Sequence, residues 1–412
     1  MRILLINHYA GSMQHGMEFR PFYLAREWVR AGHEVQILAA SYSHVRSRQP
    51  ELFGPVLDEE IEGVHYRWYR TPSYCGNGFG RVLNMLSFLR AIRKDTKRIA
   101  REFCPDVVIA SSTYPMDIWP ARRIARLAGA RLVFEVHDLW PLSPIELGGM
   151  SKWHPFILWV QMAEDAAYRH ADKVVSMLPK ALDYMQSRGL APHKFCYIPN
   201  GVDEEEWAGE PLPLPMDLQT WLEAARGSGL PVIGYAGAHG LANALDTLLD
   251  AAHQLAGKAQ IVLVGDGPDR ERLLTRVIDE GLTHVAMFPP IPKRAVPAFL
   301  QSLDIAYIGL LPEPLFRFGI SPNKLMDYMM ADKPVVMAIA AGNDPVAEAG
   351  CGFSVAPNDA TAAAQAIIRL SGMSADERSK MGAAGKRYIL ENQTYRVLAR
   401  RFLDAVANTG NP

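Results

Sequence analysis

Cysteine is scarce in this chain. The 412 residues hold four (Cys75, Cys104, Cys196 and Cys351), no two at C-x-x-C spacing. That argues against a structural zinc, a redox pair or a disulfide framework, and it fits a reducing, cytoplasmic setting. Long apolar runs are missing too. No stretch approaches the ~18–20 apolar residues of a membrane-spanning helix. The opening Met1-Arg-Ile-Leu-Leu-Ile is too short for a secretory signal, and no small-residue cleavage site follows it. It reads as a buried first strand. Asp-x-Asp does not occur, so no metal-held diphosphate is expected. There is no short internal repeat and no low-complexity tract. Net charge is only −1, and with no recognisable binding module this excludes nucleic acid as the expected partner.

What is present is an ordinary globular balance, 49% apolar and 21% charged, with length for two or three domains at roughly 150 residues each. Charge is uneven along the chain. Residues 1–200 carry 25 Lys and Arg against 19 Asp and Glu, the remainder 18 against 25. The basic first half predicts an anionic partner or surface.

Short β-branched runs alternate with longer helical stretches. Strands are expected at Ile3–Ile6, Val35–Ala39, Val107–Ala110, Leu132–Val136 and Val174–Met177, with helices at Glu18–Ala31 and Asp117–Leu127. Residues 203–230 break the rhythm with DEEEW, a Pro-Leu-Pro-Leu-Pro run and Gly-Ser-Gly, the marks of a boundary. It then restarts, with strands at Val232–Ala236, Ile261–Val264, Ile305–Ile308 and Val335–Met337. Helices follow at Asn243–Ala256, Arg270–Glu280 and Asn323–Met330, and an amphipathic helical stretch runs from Ala375. Two αβ halves with parallel sheets follow.

Four loops carry candidate chemistry. Asn7-His-Tyr-Ala-Gly11-Ser-Met-Gln-His15-Gly16 leaves the first strand, with glycines that permit a tight approach to a ligand. It does not meet G-x-G-x-x-G, and a plain βα turn explains it equally. Glu135-Val-His137-Asp138-Leu-Trp140-Pro141 sets a His–Asp pair at a strand's carboxyl end, where open parallel sheets bind ligands; the alternative is a satisfied core histidine. Tyr235-Ala-Gly237-Ala-His239-Gly240 and Gly265-Asp-Gly267-Pro268 offer backbone N–H groups to a ribose or phosphate, or simply turn.

The most telling segment is Phe318-Gly319-Ile-Ser321-Pro322-Asn323-Lys324-Leu-Met-Asp327-Tyr328. Ser321-Pro322 reads as a helix start, with Ser as cap and Pro in the first turn. Lys324 then opposes the helix dipole, which is unfavourable unless an anion is bound, and Asp327 lies one turn on. Cation, free amides and carboxylate suit a diphosphate joined to a ribose; a surface lysine beside a solvated aspartate is the plain alternative. Separately, Arg81–Arg101 reads as a helix bearing Arg81, Arg90, Arg93, Lys94, Lys97, Arg98 and Arg101, with Val82, Leu86, Leu89 and Ile92 on an apolar side. It fits peripheral contact with an anionic membrane as well as a solvated outer helix.

Taken in order, these segments resemble the retaining GT-B glycosyltransferases of the family-4 type, and most of all bacterial transferases of polysaccharide assembly in the fucosamine-transferase-like branch. The resemblance spans nearly the whole chain. It is carried by the glycine loop after the first strand, HDLWP (137–141), IPNGVD (198–203), VGDGP (264–268) and SPNKLMDYMMADKPVV (321–336). It implies an α/β GT-B fold, two Rossmann-like domains whose parallel sheets face a central cleft. The first, 1–203, would hold the acceptor, and 204–230 would be a linker. The second, 231–390, would hold the nucleotide-sugar, and a helix within 391–412 would return to the first. The implied reaction moves a hexose or N-acetylaminosugar from a UDP-sugar to a polyprenyl-diphosphate-linked or glycan acceptor of lipopolysaccharide O-antigen, capsule or exopolysaccharide, at the inner face of the cytoplasmic membrane.

By the same resemblance His137 and Lys324 are catalytic. Gly11, Gly237, Gly265, Gly267, Ile291, Ser321, Asn323, Lys324 and Asp327 bind the donor, and His15 and Asp138 the acceptor. No metal and no cofactor is implied, the nucleotide-sugar being a substrate. Asp327 falls at the second acidic position of the family's E-x7-E pattern. Three places depart from the family. Gly319 stands at the first acidic position, Ala238 and Asn243-Ala244 stand where an Arg/Lys pair is usual, and Phe288-Pro289-Pro290 lacks a usual glycine. Lys324 is the expected replacement cation, ahead of Lys293 or Arg294. Retention implies front-face attack without a covalent enzyme intermediate, so no nucleophile is assigned. A nucleotide-sugar epimerase on the same architecture is the second reading. A two-lobed solute-binding protein is the third; it is an exported class with no use for a diphosphate-facing lysine.

Overall fold

The computed structural model describes residues 1–16, 19–76 and 78–407. Two compact units emerge, Met1–Asn200 together with the segment from Tyr395, and Gly201–Thr394.

The first unit holds an eight-stranded sheet. Its strands are β1 (Arg2–Ile6), β2 (Glu34–Ala40), β3 (Val56–Ile61), β4 (Val64–Tyr69), β5 (Val107–Ala110), β6 (Arg131–Val136), β7 (Lys173–Ser176) and β8 (Phe195–Tyr197). They lie in the order β3-β4-β2-β1-β5-β6-β7-β8. All pairs are parallel except the β3–β4 hairpin at one edge. Ile3, Leu4, Leu5 and Ile6 are wholly buried, as a central parallel strand covered on both faces requires. The hairpin was not expected. It turns at Glu62-Gly63, both at positive φ (51° and 79°), which matches the twist of paired strands. The helix begun in sequence at Glu18 runs Arg20–Arg30, and Glu18 lies outside the described residues. A further unexpected helix, Pro155–His170, starts on a proline whose missing N–H costs nothing in a first turn.

The second unit has β9 (Val232–Ala236), β10 (Gln260–Val264), β11 (Val285–Phe288), β12 (Ile305–Gly309), β13 (Val335–Ala338) and β14 (Gly352–Val355). All are parallel, in the order β11-β10-β9-β12-β13-β14. The stretch expected as a linker is structured. Its helix Met216–Gly227 buries Leu218, Leu222 and Ala225 in the core of this unit, so the proline-rich run is a turn between packed elements. The last helix, Tyr395–Ala407, packs on the first unit. Trp28 donates its indole N–H to the Ala399 carbonyl at 3.0 Å, and its ring meets Phe402 edge-on at 5.2 Å. Phe402 and Leu398 are wholly buried there, each worth about 1.5–3 kcal/mol of burial.

Candidate functional site

In each sheet the strand order reverses beside the unit's first strand. β1 lies between β2 and β5, and β9 lies between β10 and β12. The crevice beyond the carboxyl ends at such a point is where open α/β sheets bind ligands. Of the candidate residues, His137 follows β6 in the first unit, and Gly237 and Lys324 meet beyond the end of β9 in the second.

In the first unit, Asn7 follows β1, Ser111 and Ser112 follow β5, and β6 ends with Glu135-Val136 before His137. Glu135 is wholly buried, in a strand otherwise apolar beyond Arg131, so it needs a buried cation. Arg20, the first residue of its helix, supplies it. Its Nε and Nη2 each lie 3.0 Å from Glu135 Oε1, and the guanidinium also donates to the carbonyls of Ile198 and Pro199. Burial alone would raise the Glu135 carboxyl, but Arg20, then His137, then Ser111 outweigh it and hold it at about 2. The other carboxylate oxygen accepts from Ser111 Oγ at 2.6 Å and lies 3.3 Å from His137 Nε2. Ser111 Oγ is 2.9 Å from the same His137 nitrogen, and Asn7 Nδ2 donates to the Ser111 carbonyl at 2.6 Å. His137 is thereby oriented through Nε2, its side chain 10% exposed. Asp117, buried and raised to about 7 by that burial, accepts the Ser112 N–H at 2.9 Å and fixes the loop after β5.

Local contacts hold both expected acceptor residues. Asp138 Oδ1 accepts from Leu139 N at 2.9 Å and Ser143 Oγ at 2.6 Å, so it shapes its own loop. His15 is buried; its Nδ1 is 2.9 Å from Ser12 Oγ, its ring 5.0 Å from Trp68, and its Nε2 3.7 Å from Glu59. Burial lowers its pKa. Gly11 is buried and its carbonyl accepts from Tyr66 Oη at 2.7 Å. The positive φ in that loop belongs to Gly16, at 84°.

In the second unit the helix Asn323–Met330 lies beside the end of β9, Tyr328 Oη accepting from Ala236 N at 2.9 Å. Pro322 occupies the cap position and no side chain caps the helix, so Ser321 is not the cap its sequence position promised. Lys324, in the first turn, reaches Tyr235 Oη at 2.8 Å and Asn243 Oδ1 at 2.5 Å, with Nζ 4.7 Å from the Tyr235 ring centroid. Both partners are neutral, and burial lowers the ammonium to about 8. A side chain at Gly237 would place its Cβ 3.2 Å from that Nζ. The loop after β10 closes on the same place. Gly237 N donates to the Val264 carbonyl at 3.0 Å and His239 N to the Asp266 carbonyl at 2.7 Å. A Cβ on Gly265 (φ 153°) would stand 1.8 Å from the Gly237 carbonyl oxygen, and one on Gly267 (φ 157°) 2.4 Å from that of His239. Gly265→Ala is therefore expected to force the two loops apart, at about 1–3 kcal/mol of strain; thermal melts of the variant against the wild type check it.

Asp327 does not join Lys324. Burial raises its carboxyl to about 7, and its neighbours are Lys293, Glu206 and Trp207, which hydrogen-bonds to it. Lys293 pairs with Glu206 at 2.6 Å. Asn323 is exposed, and Ile291 packs against the core below the loop after β11. Gly319 has φ 109°, a conformation that disfavours any acidic side chain there. Arg20 and Ser111 escape the sequence reading, and Glu135 and Asn243 appear in it without a role in the site. A lone glutamate in a buried strand is the available signal for the Arg20–Glu135 pair; Asn243 is marked in sequence only by its place near the family's usual Arg/Lys pair.

The family model of the glycosyl transferase 4-like domain matches residues 15–201, and that of glycosyl transferases group 1 matches residues 230–372. No curated protein matches the chain. Among solved structures it is similar to Anabaena Alr3699/HepE in complex with UDP-glucose, at 15% identity over 99% of each chain with a TM-score of 0.65. It is similar to sucrose-phosphate synthase from Thermosynechococcus elongatus, at 17% identity over 98% of each chain with a TM-score of 0.69. WaaG, a glycosyltransferase involved in lipopolysaccharide biosynthesis, aligns at 12% identity over 99% of this chain and 100% of its own, with a TM-score of 0.66.

Proposed function

The chain belongs to the glycosyltransferases that join a 4-like domain to a group 1 domain on the GT-B fold, and from that premise we propose that it is a retaining, metal-independent transferase. Its donor is a UDP-sugar, a hexose or an N-acetylaminosugar such as the fucosamine-transferase resemblance implies. Its acceptor is a polyprenyl-diphosphate-linked or other glycan of bacterial surface polysaccharide. The observation that carries this reading is Lys324, a half-buried cation at a helix start and a strand-order reversal, held by the neutral Tyr235 and Asn243. A diphosphate supplies the missing negative charge. Asn243 stands near the place of the family's usual basic pair and instead accepts from Lys324, which fits the lysine's role as replacement cation.

In this reading the departing UDP gains charge as the glycosidic bond breaks. Lys324, the amides of Asn323 and Lys324, and the helix dipole stabilise that charge, a preorganised electrostatic role. The acceptor hydroxyl attacks on the face the leaving group departs from, and its proton passes to the leaving phosphate oxygen. We assign His137 to the sugar being transferred, with Glu135 and Ser111 as positioning residues. Among the described residues no group of three His, Cys, Asp or Glu side chains is arranged to hold a metal, and no helix is long and apolar enough to cross a membrane. We place the protein in the cytoplasm, in peripheral contact with the membrane through the helix Phe79–Glu102. The test is UDP release from UDP-sugars with a lipid-linked acceptor pool, in the presence of EDTA. Acceptor-dependent release supports the transferase; sugar interconversion without acceptor would establish an epimerase; dependence on added metal would overturn the metal-independent mechanism.

A further inference from the structure

A groove of about 470 Å³ opens on the first unit, lined by residues of the helices Phe79–Glu102, Ile118–Ala128 and Pro155–His170. Leu86, Leu89, Trp119 and Trp159 give it an apolar lining, with the two indoles stacked 5.8 Å apart at 27°. Arg90, Arg93 and Arg123 line it as well. All three are exposed, and among the described residues none has a carboxylate partner, whereas Arg98 on the same helix is paired with Asp95. The apolar side expected for this helix is shifted: Ile92 is buried in the unit, while Phe79, Leu83 and Leu86 are exposed. Leu158 and Met162 of the third helix are exposed too.

An aromatic chain leads from this groove toward the His137 loop. Trp159 meets Phe156 at 6.4 Å, and Phe156 meets Trp140 at 6.4 Å. Trp140 lies three residues beyond His137, under the Arg81 guanidinium at 6.0 Å.

We propose that the groove seats an anionic lipid of a bilayer, its hydrocarbon chain over the Trp119–Trp159 pair and its phosphate among Arg90, Arg93 and Arg123. Amphipathic rings beside cations of one sign match the boundary between headgroup and chain. Arginine forks suit phosphate oxygens. A nucleic acid or an acidic peptide would engage the arginines but leave Phe79, Leu83 and Met162 in water, so charge and apolar surface together select the lipid. The proposal rests on the reading that this face meets a membrane and is independent of the donor-site reading.

The experiment is co-sedimentation of the full chain with vesicles of phosphatidylcholine, with and without phosphatidylglycerol. Binding is expected only to the anionic vesicles. With each basic residue near the surface contributing roughly fivefold, Arg90→Gln/Arg93→Gln/Arg123→Gln is expected to lower partitioning about 100-fold. Lys94→Gln/Lys97→Gln/Arg101→Gln, away from the groove on the same helix, should lower it no more than about fivefold at physiological salt. Thermal unfolding verifies that both variants are folded. Equal losses in the two variants would overturn the groove and leave a diffuse basic surface. Equal binding to neutral vesicles would overturn the anionic assignment. No binding to either vesicle, or binding to a single-stranded RNA oligonucleotide instead, would overturn both the groove and the membrane contact.

Discussion

Replacing Lys324 by alanine is expected to lower turnover on a UDP-sugar by about 10²–10³-fold, the loss typical of removing one preorganised donor to a developing negative charge. UDP affinity should fall about 10–100-fold, as for a lost hydrogen bond to a charged group. The fold should survive, because the lysine's partners keep other roles. Tyr235 Oη donates to the Ala238 carbonyl at 2.8 Å, and Asn243 sits in a surface loop. Two pH dependences of opposite sign accompany the change. The folded pKa is about 8, lowered by burial from an ordinary 10.5. Between those values the unfolded chain binds more protons than the folded one, so stability rises as pH increases through this window. Anion binding runs the other way. It is strongest below about pH 8 and weakens by up to tenfold per unit above it as the ammonium is lost. Calorimetry of UDP from pH 7 to pH 10 reads this slope. Lys324→Ala removes it, and Lys324→Arg, whose charge does not titrate there, keeps binding flat. A wild-type affinity independent of pH would show that Lys324 does not face the nucleotide.

The second large effect concerns stability. Arg20→Ala leaves the Glu135 carboxylate buried without its cation, a loss of about 3–5 kcal/mol. For a unit of about 200 residues this lowers the melting temperature by roughly 10 °C. Arg20→Met/Glu135→Gln, which removes both charges, should recover much of the loss, since the paired ions offset a desolvation cost that neutral residues do not incur. The Glu135 carboxyl sits at about 2 instead of its ordinary 4.5. Its contribution is therefore complete above about pH 4.5 and is lost as pH falls toward 2. Differential scanning calorimetry of the single and double variants checks the order. A single variant as stable as the wild type would show that the ion pair is dispensable. Glu135→Gln alone should also lower turnover at neutral pH, because His137 Nε2 then loses the carboxylate beside it.

Much of the sheet architecture was legible because parallel strands buried on both faces leave short β-branched runs. Val107–Ala110 and Val232–Ala236 coincide with β5 and β9, and Asn323–Met330 is a helix with the bounds its pattern implied. Lys324 was legible because a lysine in a first helical turn opposes the dipole. Its partner Asn243 was not, since the two are separated by 81 positions and an asparagine in a loop carries no electrostatic conflict. The Arg20–Glu135 pair spans 115 positions, and only the strand's burial makes it necessary. The hairpin of β3 and β4 stayed hidden because its edge position tolerates Asp58, Glu59 and Glu60 in one strand. The contacts of His15 were hidden for a related reason: Trp68 and Glu59, which it meets, belong to that same hairpin. Ser321 failed as a cap because Pro322 takes the cap position itself.

Nucleotide binding by calorimetry without added metal, comparing UDP, GDP, dTDP and NAD, bears most directly on the donor site around Lys324. Tight binding of UDP, lost in Lys324→Ala, is the predicted result. Failure of all four nucleotides to bind would contradict a donor site there, and with it the proposed transferase.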